Sequence, residues 1–142
     1  MHIPVLVPAD VQDIVDFGLA GIALSRYCGL WVGLKTIAET AEQHGLVTIP
    51  TIRRYNRPQH VLPSHGLNLD PNLAWPVERR ELERRLLQER LPALQAWMRA
   101  NRLDRLVSGS EAATIGIVTV GKAHHDAGHA LRRLGLADHP AI

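Results

Sequence analysis

The run Ala113-Thr114-Ile115-Gly116-Ile117-Val118-Thr119-Val120 constrains the fold more than any other part of the chain. It is rich in β-branched residues, almost wholly apolar, and it does not alternate. Strands that read this way are buried on both faces of a parallel sheet. Gly121-Lys122 then turns the chain, and the spacing predicts a helix from about Ala123 to Leu134, closed by Gly135. Strand, glycine turn and helix in that order open a βαβ-type unit whose second strand is not present.

The amino-terminal part predicts a helical layer. Residues 3–8 form a short apolar lead-in bracketed by Pro4 and Pro8. The Asp10 carboxylate can then accept the free amides of a first helical turn. Val11, Ile14, Val15, Leu19, Ile22 and Ala23 follow at near-helical spacing, and Gly18 and Gly21 permit another backbone to come close. Gly29 interrupts this helix. A second is expected from Leu30 to Gln43, with Trp31, Leu34, Ile37, Ala38 and Ala41 as its stripe and Gly45 as its cap. Leu46 to Ile52 reads as a short or edge strand, because Pro50 denies it a ladder hydrogen bond.

Residues 53–76 carry Pro58, Pro63, Pro71 and Pro76, a stretch too long and too proline-rich for an ordinary connection inside one domain. Pro76 suits the first position of a charged helix. Leu82, Leu86, Leu87, Leu91, Leu94, Trp97 and Met98 would line its inner face, Glu81 and Arg85 form an i,i+4 pair, and Pro92 should kink or split it. Asn101–Arg105 and Ser108–Glu111 read as turns.

Composition bounds the function. The chain of 142 residues is 46% hydrophobic, enough for a core. Sixteen basic residues against fourteen acidic ones give a net charge of +2, too even for a nucleic-acid binder. Cys28 is the single cysteine, which rules out an internal disulfide and a cluster ligated wholly from this chain, since that takes about four thiolates. One thiol and no recognisable leader fit a cytoplasmic protein. The apolar run from Val11 to Leu34 contains Asp13, Asp16 and Arg26, which speaks against a membrane span.

Few residues invite chemistry. At Gly121-Lys122 the start of a helix could hold an anion, with Lys122 adding a charge; ordinary turn geometry explains the same residues. His125 and His129 stand i,i+4, as two metal-binding imidazoles can, but no third ligand is recognisable beside them or His124. Cys28 lies in an apolar helix, where a thiol is inert unless His44 or His60 is brought to it. No paired carboxylates, serine elbow or glycine-rich nucleotide loop occurs.

Several blocks, in matching order, resemble the indolepyruvate ferredoxin oxidoreductases, thiamine diphosphate-dependent enzymes of the 2-oxoacid:ferredoxin oxidoreductase family. Val5-Leu6-Val7-Pro8, the segment Val11–Leu19 and the block Ser25-Arg26-Tyr27-Cys28-Gly29-Leu30-Trp31-Val32-Gly33-Leu34-Lys35 are similar to the late part of the first thiamine-binding domain. Gly66–Leu69 with Trp75-Pro76 resembles the connection, Ala100–Arg105 the end of the connecting helix, and Ile115–Ala123 the opening of a transketolase-C-like unit. Cys28 stands where a serine is usual, and the run His124–His129 departs from a more aliphatic and acidic pattern.

The resemblance implies an α/β fold, helix-rich, with part of a parallel sheet and an incomplete second α/β unit. It divides the chain into the end of a pyrimidine-side domain (1–52), a linker (53–76), a charged connecting helix (77–105) and the first strand and helix of the next domain (106–142). For the whole enzyme it implies oxidative decarboxylation of aryl-2-oxoacids to acyl-coenzyme A with ferredoxin as acceptor, using thiamine diphosphate, Mg²⁺ and 4Fe–4S clusters. None of the family's catalytic residues maps onto this chain, so the segment is expected to be structural, to bind no cofactor alone and to associate with the rest of the oxidoreductase as an oligomer, without nucleic acid or membrane. The alternative is a small free-standing binding or regulatory module with its anion site at Gly121 and Lys122.

Overall fold

The protein is described from a computed structural model covering residues 2–49, 53–59, 66–67, 79–109, 112–139 and 141–142. It is helix-rich with a two-stranded parallel sheet, a partial α/β fold. The chain forms two compact units, each assembled from three stretches. Unit 1 comprises Met1–Val5, Leu19–Gly33 and Pro50–Asp104; unit 2 comprises Leu6–Gly18, Leu34–Ile49 and Arg105–Ile142.

Strand β1 (Val5–Leu6) and strand β2 (Gly33–Leu34) are joined through helix α1 (Val11–Cys28), giving a short βαβ order. The Gly33 amide donates to the Pro4 carbonyl at 2.9 Å and the Lys35 amide to Leu6 at 2.8 Å. Both partners advance by two residues in the same direction, which defines a parallel pair. Helix α1 starts as the sequence predicts. Asp10 Oδ1 accepts the Asp13 amide at 2.9 Å, while Asp13 Oδ2 accepts the Ala9 amide at 3.0 Å. The pair satisfies two of the donors a helix start leaves over. Gly29, at φ 70°, ends the helix where expected. No helix among the described residues is long and apolar enough to cross a membrane.

The inner face of α1 is not the expected one. In unit 1 it buries Ala20, Gly21, Leu24, Tyr27 and Cys28, whereas Leu19 and Ile22 are exposed. A helix apolar almost all round offers more than one stripe at helical spacing, and packing chooses between them. Gly18 has open space around it, so it answers to no close backbone.

The helix expected over Leu30–Gln43 does not form. Residues 33–34 are β2, and only Ala38–Ala41 is helical (α2). The left-handed turn at Gly29 redirects the chain, Ser25 Oγ donates to the Leu30 carbonyl at 2.7 Å, and the amide of Gly33 goes to Pro4. Sheet pairing has overridden helical spacing, and Trp31 is 84% exposed instead of forming a stripe. Gly45 caps nothing, since Glu42 already ends α2. Residues 46–49 are not a strand; Pro50 to Ile52, most of the linker, Pro76, Ser110 and Glu111 lie outside the described residues.

Helix α3 (Arg79–Arg85), a π-helical turn (Leu86–Arg90) and helix α4 (Leu91–Asn101) realise the charged helix. The break falls where Pro92 requires one. Proline has no amide to offer, and the Leu91 amide bonds five residues back to Leu86. The wider turn rotates Leu87 out to solvent, against expectation. Leu94 and Trp97 pack on α1 residues Leu24 and Cys28, with Leu30, Leu67 and Ala93, and with Tyr55 tilted on Trp97 at 5.2 Å between ring centroids. Arg102 ends α4 in the left-handed conformation at φ 50°. Asn101 Oδ1 accepts the Asn56 amide at 2.8 Å, its Nδ2 donates to the Asn56 carbonyl at 2.9 Å, and Asn56 Nδ2 donates to the Ala100 carbonyl at 3.1 Å.

The segment expected as a buried strand, 113–120, is not a strand among the described residues. The amides of Thr114 and Ile115 both donate to the Ala141 carbonyl, and Ile115, Ile117, Val118 and Val120 are exposed. Among the described residues no strand pairs with this run, so it lacks the partner its composition calls for. Helix α5 (Ala123–Arg133) follows and is closed by Gly135 at φ 69°, as expected.

Candidate functional site

The candidate anion site, Gly121-Lys122, opens α5 in unit 2. Gly121 is held at φ +60°, and a Cβ there would lie 2.8 Å from Val7 Cγ1 and 3.4 Å from the Pro8 carbonyl oxygen. Both its conformation and its closeness to the β1–α1 connection demand glycine.

The turn carries its own anions. Lys122 Nζ holds both carboxylate oxygens of Asp126 at 2.9 Å, one helical turn on. That bond, the Asp126 charge and a weaker pull from Glu39 raise the Lys122 pKa above the usual lysine value. Asp10 Oδ2 lies 3.1 Å from His125 Nε2, a hydrogen bond whenever that nitrogen carries a proton. The Asp13 amide is the main reason the Asp10 carboxyl sits below the usual carboxylate range; partial burial opposes it and His125 assists. An incoming phosphate would compete with Asp126 for Lys122 and meet Asp10 one step away.

The imidazoles do not assemble a metal site. The His124 and His125 rings lie 5.3 Å apart, His125 is committed to Asp10, and among the described residues no group of three His, Cys, Asp or Glu could hold a metal ion. Cys28, in unit 1, is wholly buried and donates to the Leu24 carbonyl at 3.0 Å. Burial raises its thiol pKa, offset in part by a hydrogen bond from the backbone at Leu30 and by the Arg90 charge. A buried thiol with a raised pKa is a poor nucleophile.

The iron–sulfur clusters and the Mg²⁺ implied by the resemblance find no ligand set among the described residues. One buried thiol cannot replace the several thiolates of an iron–sulfur cluster, and no carboxylate group among the described residues is gathered for Mg²⁺ beside a diphosphate. Sequence reasoning had no signal for the Asn56–Asn101 clasp, since its two residues stand 45 positions apart.

No known protein family's profile matches the chain, and no solved structure does. Among curated proteins the chain is similar to the indolepyruvate oxidoreductase subunit IorA of Methanothermobacter thermautotrophicus, 28% identical over 137 residues. The match takes in 94% of this chain and 21% of the relative, so the chain spans about a fifth of the protein it resembles.

Proposed function

We propose that the chain works as a scaffolding segment of an indolepyruvate-type 2-oxoacid ferredoxin oxidoreductase. The observation that carries this is the match to an oxidoreductase subunit along 94% of the chain. Its order would be the end of a pyrimidine-side domain (1–52), linker (53–76), connecting helix (77–105) and opening of a transketolase-C-like unit (106–142). Thiamine diphosphate, Mg²⁺ and the iron–sulfur clusters would be held elsewhere in the enzyme, as would the groups that meet ferredoxin and coenzyme A. The reaction would be oxidative decarboxylation of an aryl-2-oxoacid to its acyl-coenzyme A.

The segment's own contribution would be surface and rigidity. Residues 113–120 offer apolar side chains without a sheet partner, which is what a strand completed by another part of an enzyme presents by itself.

The test is to isolate the chain from its native source under mild conditions. Co-elution with thiamine-dependent, ferredoxin-reducing oxidation of an aryl-2-oxoacid is the expected result. Elution as a lone, cooperatively folding monomer without that activity would overturn the reading. Saturable phosphate binding lost in Lys122→Ala would then favour the small module. Tight Mg²⁺-dependent thiamine diphosphate binding by the chain alone would refute the placement of that site elsewhere.

A further inference from the structure

Along the sequence the charges look balanced; sorted by compact unit they do not. Unit 1 carries eleven arginines, no lysine and six carboxylates, a net of +5, while unit 2 carries five basic and eight acidic residues, a net of −3, together the +2 of the chain. The interleaving of stretches hides this separation from any linear reading.

Within unit 1 two groups of arginines stand out. In α3 two are neutralised locally: Arg84 meets Glu81 at 2.6 Å and Glu89 at 3.0 Å, and Arg85 meets Glu81 at 3.0 Å. At the carboxyl end of α4 the Asn56–Asn101 clasp draws residues 53–57 against the helix end. Arg57 adjoins Asn56, Arg102 adjoins Asn101, and Arg54 is two residues from the clasp. All three are exposed, and none forms an ion pair among the described residues. Arg57 lies 6.0 Å above the Tyr27 ring, and the left-handed Arg102 has a backbone shape that glycine adopts more easily. Asp104 is the carboxylate nearest in sequence.

We propose that this arginine-rich end of unit 1 docks a carboxylate-rich protein surface. The guanidinium fork matches a carboxylate with two parallel hydrogen bonds, which a lysine cannot do. Arginine is also among the side chains that most often anchor protein interfaces. A nucleic-acid strand would call for a row of stacking aromatics. The aromatics on the segments that form this end, Tyr27, Tyr55 and Trp97, are instead packed in or against the core. The inference stands apart from the enzymatic reading and requires no particular reaction.

The full chain is titrated at low salt with poly-L-glutamate and, separately, with oligo-deoxythymidylate of matched charge. Poly-L-glutamate should bind, and the variant R54Q/R57Q/R102G should weaken it about tenfold. The charge-matched variant K35A/R132A/R133A, altered only in unit 2, should weaken it by about twofold or less. Gly at position 102 suits the observed φ of 50°, so folding should survive. Equal losses in the two variants, tighter binding of the oligonucleotide, or no binding of poly-L-glutamate overturns the proposal. Should the triple variant unfold, R54Q and the single unit 2 variant K35A decide together: R54Q must weaken binding by about twofold, and K35A by clearly less; equal losses overturn the proposal.

Discussion

Trp97, Leu24 and Cys28 in unit 1 are at most 1% exposed, whereas Val118 in unit 2 is 93% exposed and Ile115, Ile117 and Val120 about half or more. Both regions are apolar in sequence. The first meets a second helix carrying complementary side chains, and a core closes. Among the described residues, the second meets the Ala141 carbonyl with two of its amides. Unit 2 buries mainly small or cyclic residues, Pro8, Ala9 and Gly121, with Leu6 and Thr40. Hydrophobic composition permits burial; it takes a partner surface to realise it.

The sharpest test of this contrast is Trp97→Ala. Removing the ring from a packed site should cost about 3–5 kcal/mol, read as a lowered denaturation midpoint with an unchanged slope. A loss under about 1 kcal/mol would mean that unit 1 is no tighter than unit 2. Gly121→Ala comes next. It places a Cβ in a left-handed backbone and against Val7, for a combined cost of about 2–3 kcal/mol. That outcome in thermal unfolding would show that unit 2 holds at least one close backbone contact despite its open side.

Asp10→Ala removes the cap of α1 and should cost about 1 kcal/mol. The Asp10 carboxyl is depressed in the folded chain, so its contribution is present above the unfolded value of 3.8 and disappears as pH falls through the lower folded value. Asp10→Asn keeps an acceptor for the Asp13 amide and should flatten this acid loss while sparing most stability near neutrality. The smallest effect is expected for Val118→Thr. An exposed, unpaired side chain should change stability by less than about 0.5 kcal/mol while reducing self-association in sedimentation. A large destabilisation would show that the run is packed after all.

The features legible in the sequence are those set by neighbours along the chain. Asp10 as cap, Gly29 and Gly135 as stops, and the interruption before Pro92 each follow from local chemistry within about one helical turn. Three others were not legible because distant partners decide them. Strand β2 exists through a hydrogen bond from Gly33 to Pro4, the buried stripe of α1 was chosen by Trp97 and Leu94, and the clasp joins Asn56 to Asn101. The run 113–120 was read correctly as apolar and as lacking its partner strands in this chain, but it does not take up strand conformation without them. Its composition states a need that the described part of the chain does not meet. Of the candidate site, the turn and the lysine were legible; the carboxylates that occupy them, Asp126 and Asp10, were not.

Cys28 has a use beyond packing. As the chain's one thiol, hidden between α1 and α4, it is a built-in reporter of their separation. A thiol-reactive dye can label it only when that core opens, so the labelling rate at increasing reagent concentration reads the opening frequency and then its limit. Run with and without a partner bound, the same clock would time how far binding steadies the α1–α4 core.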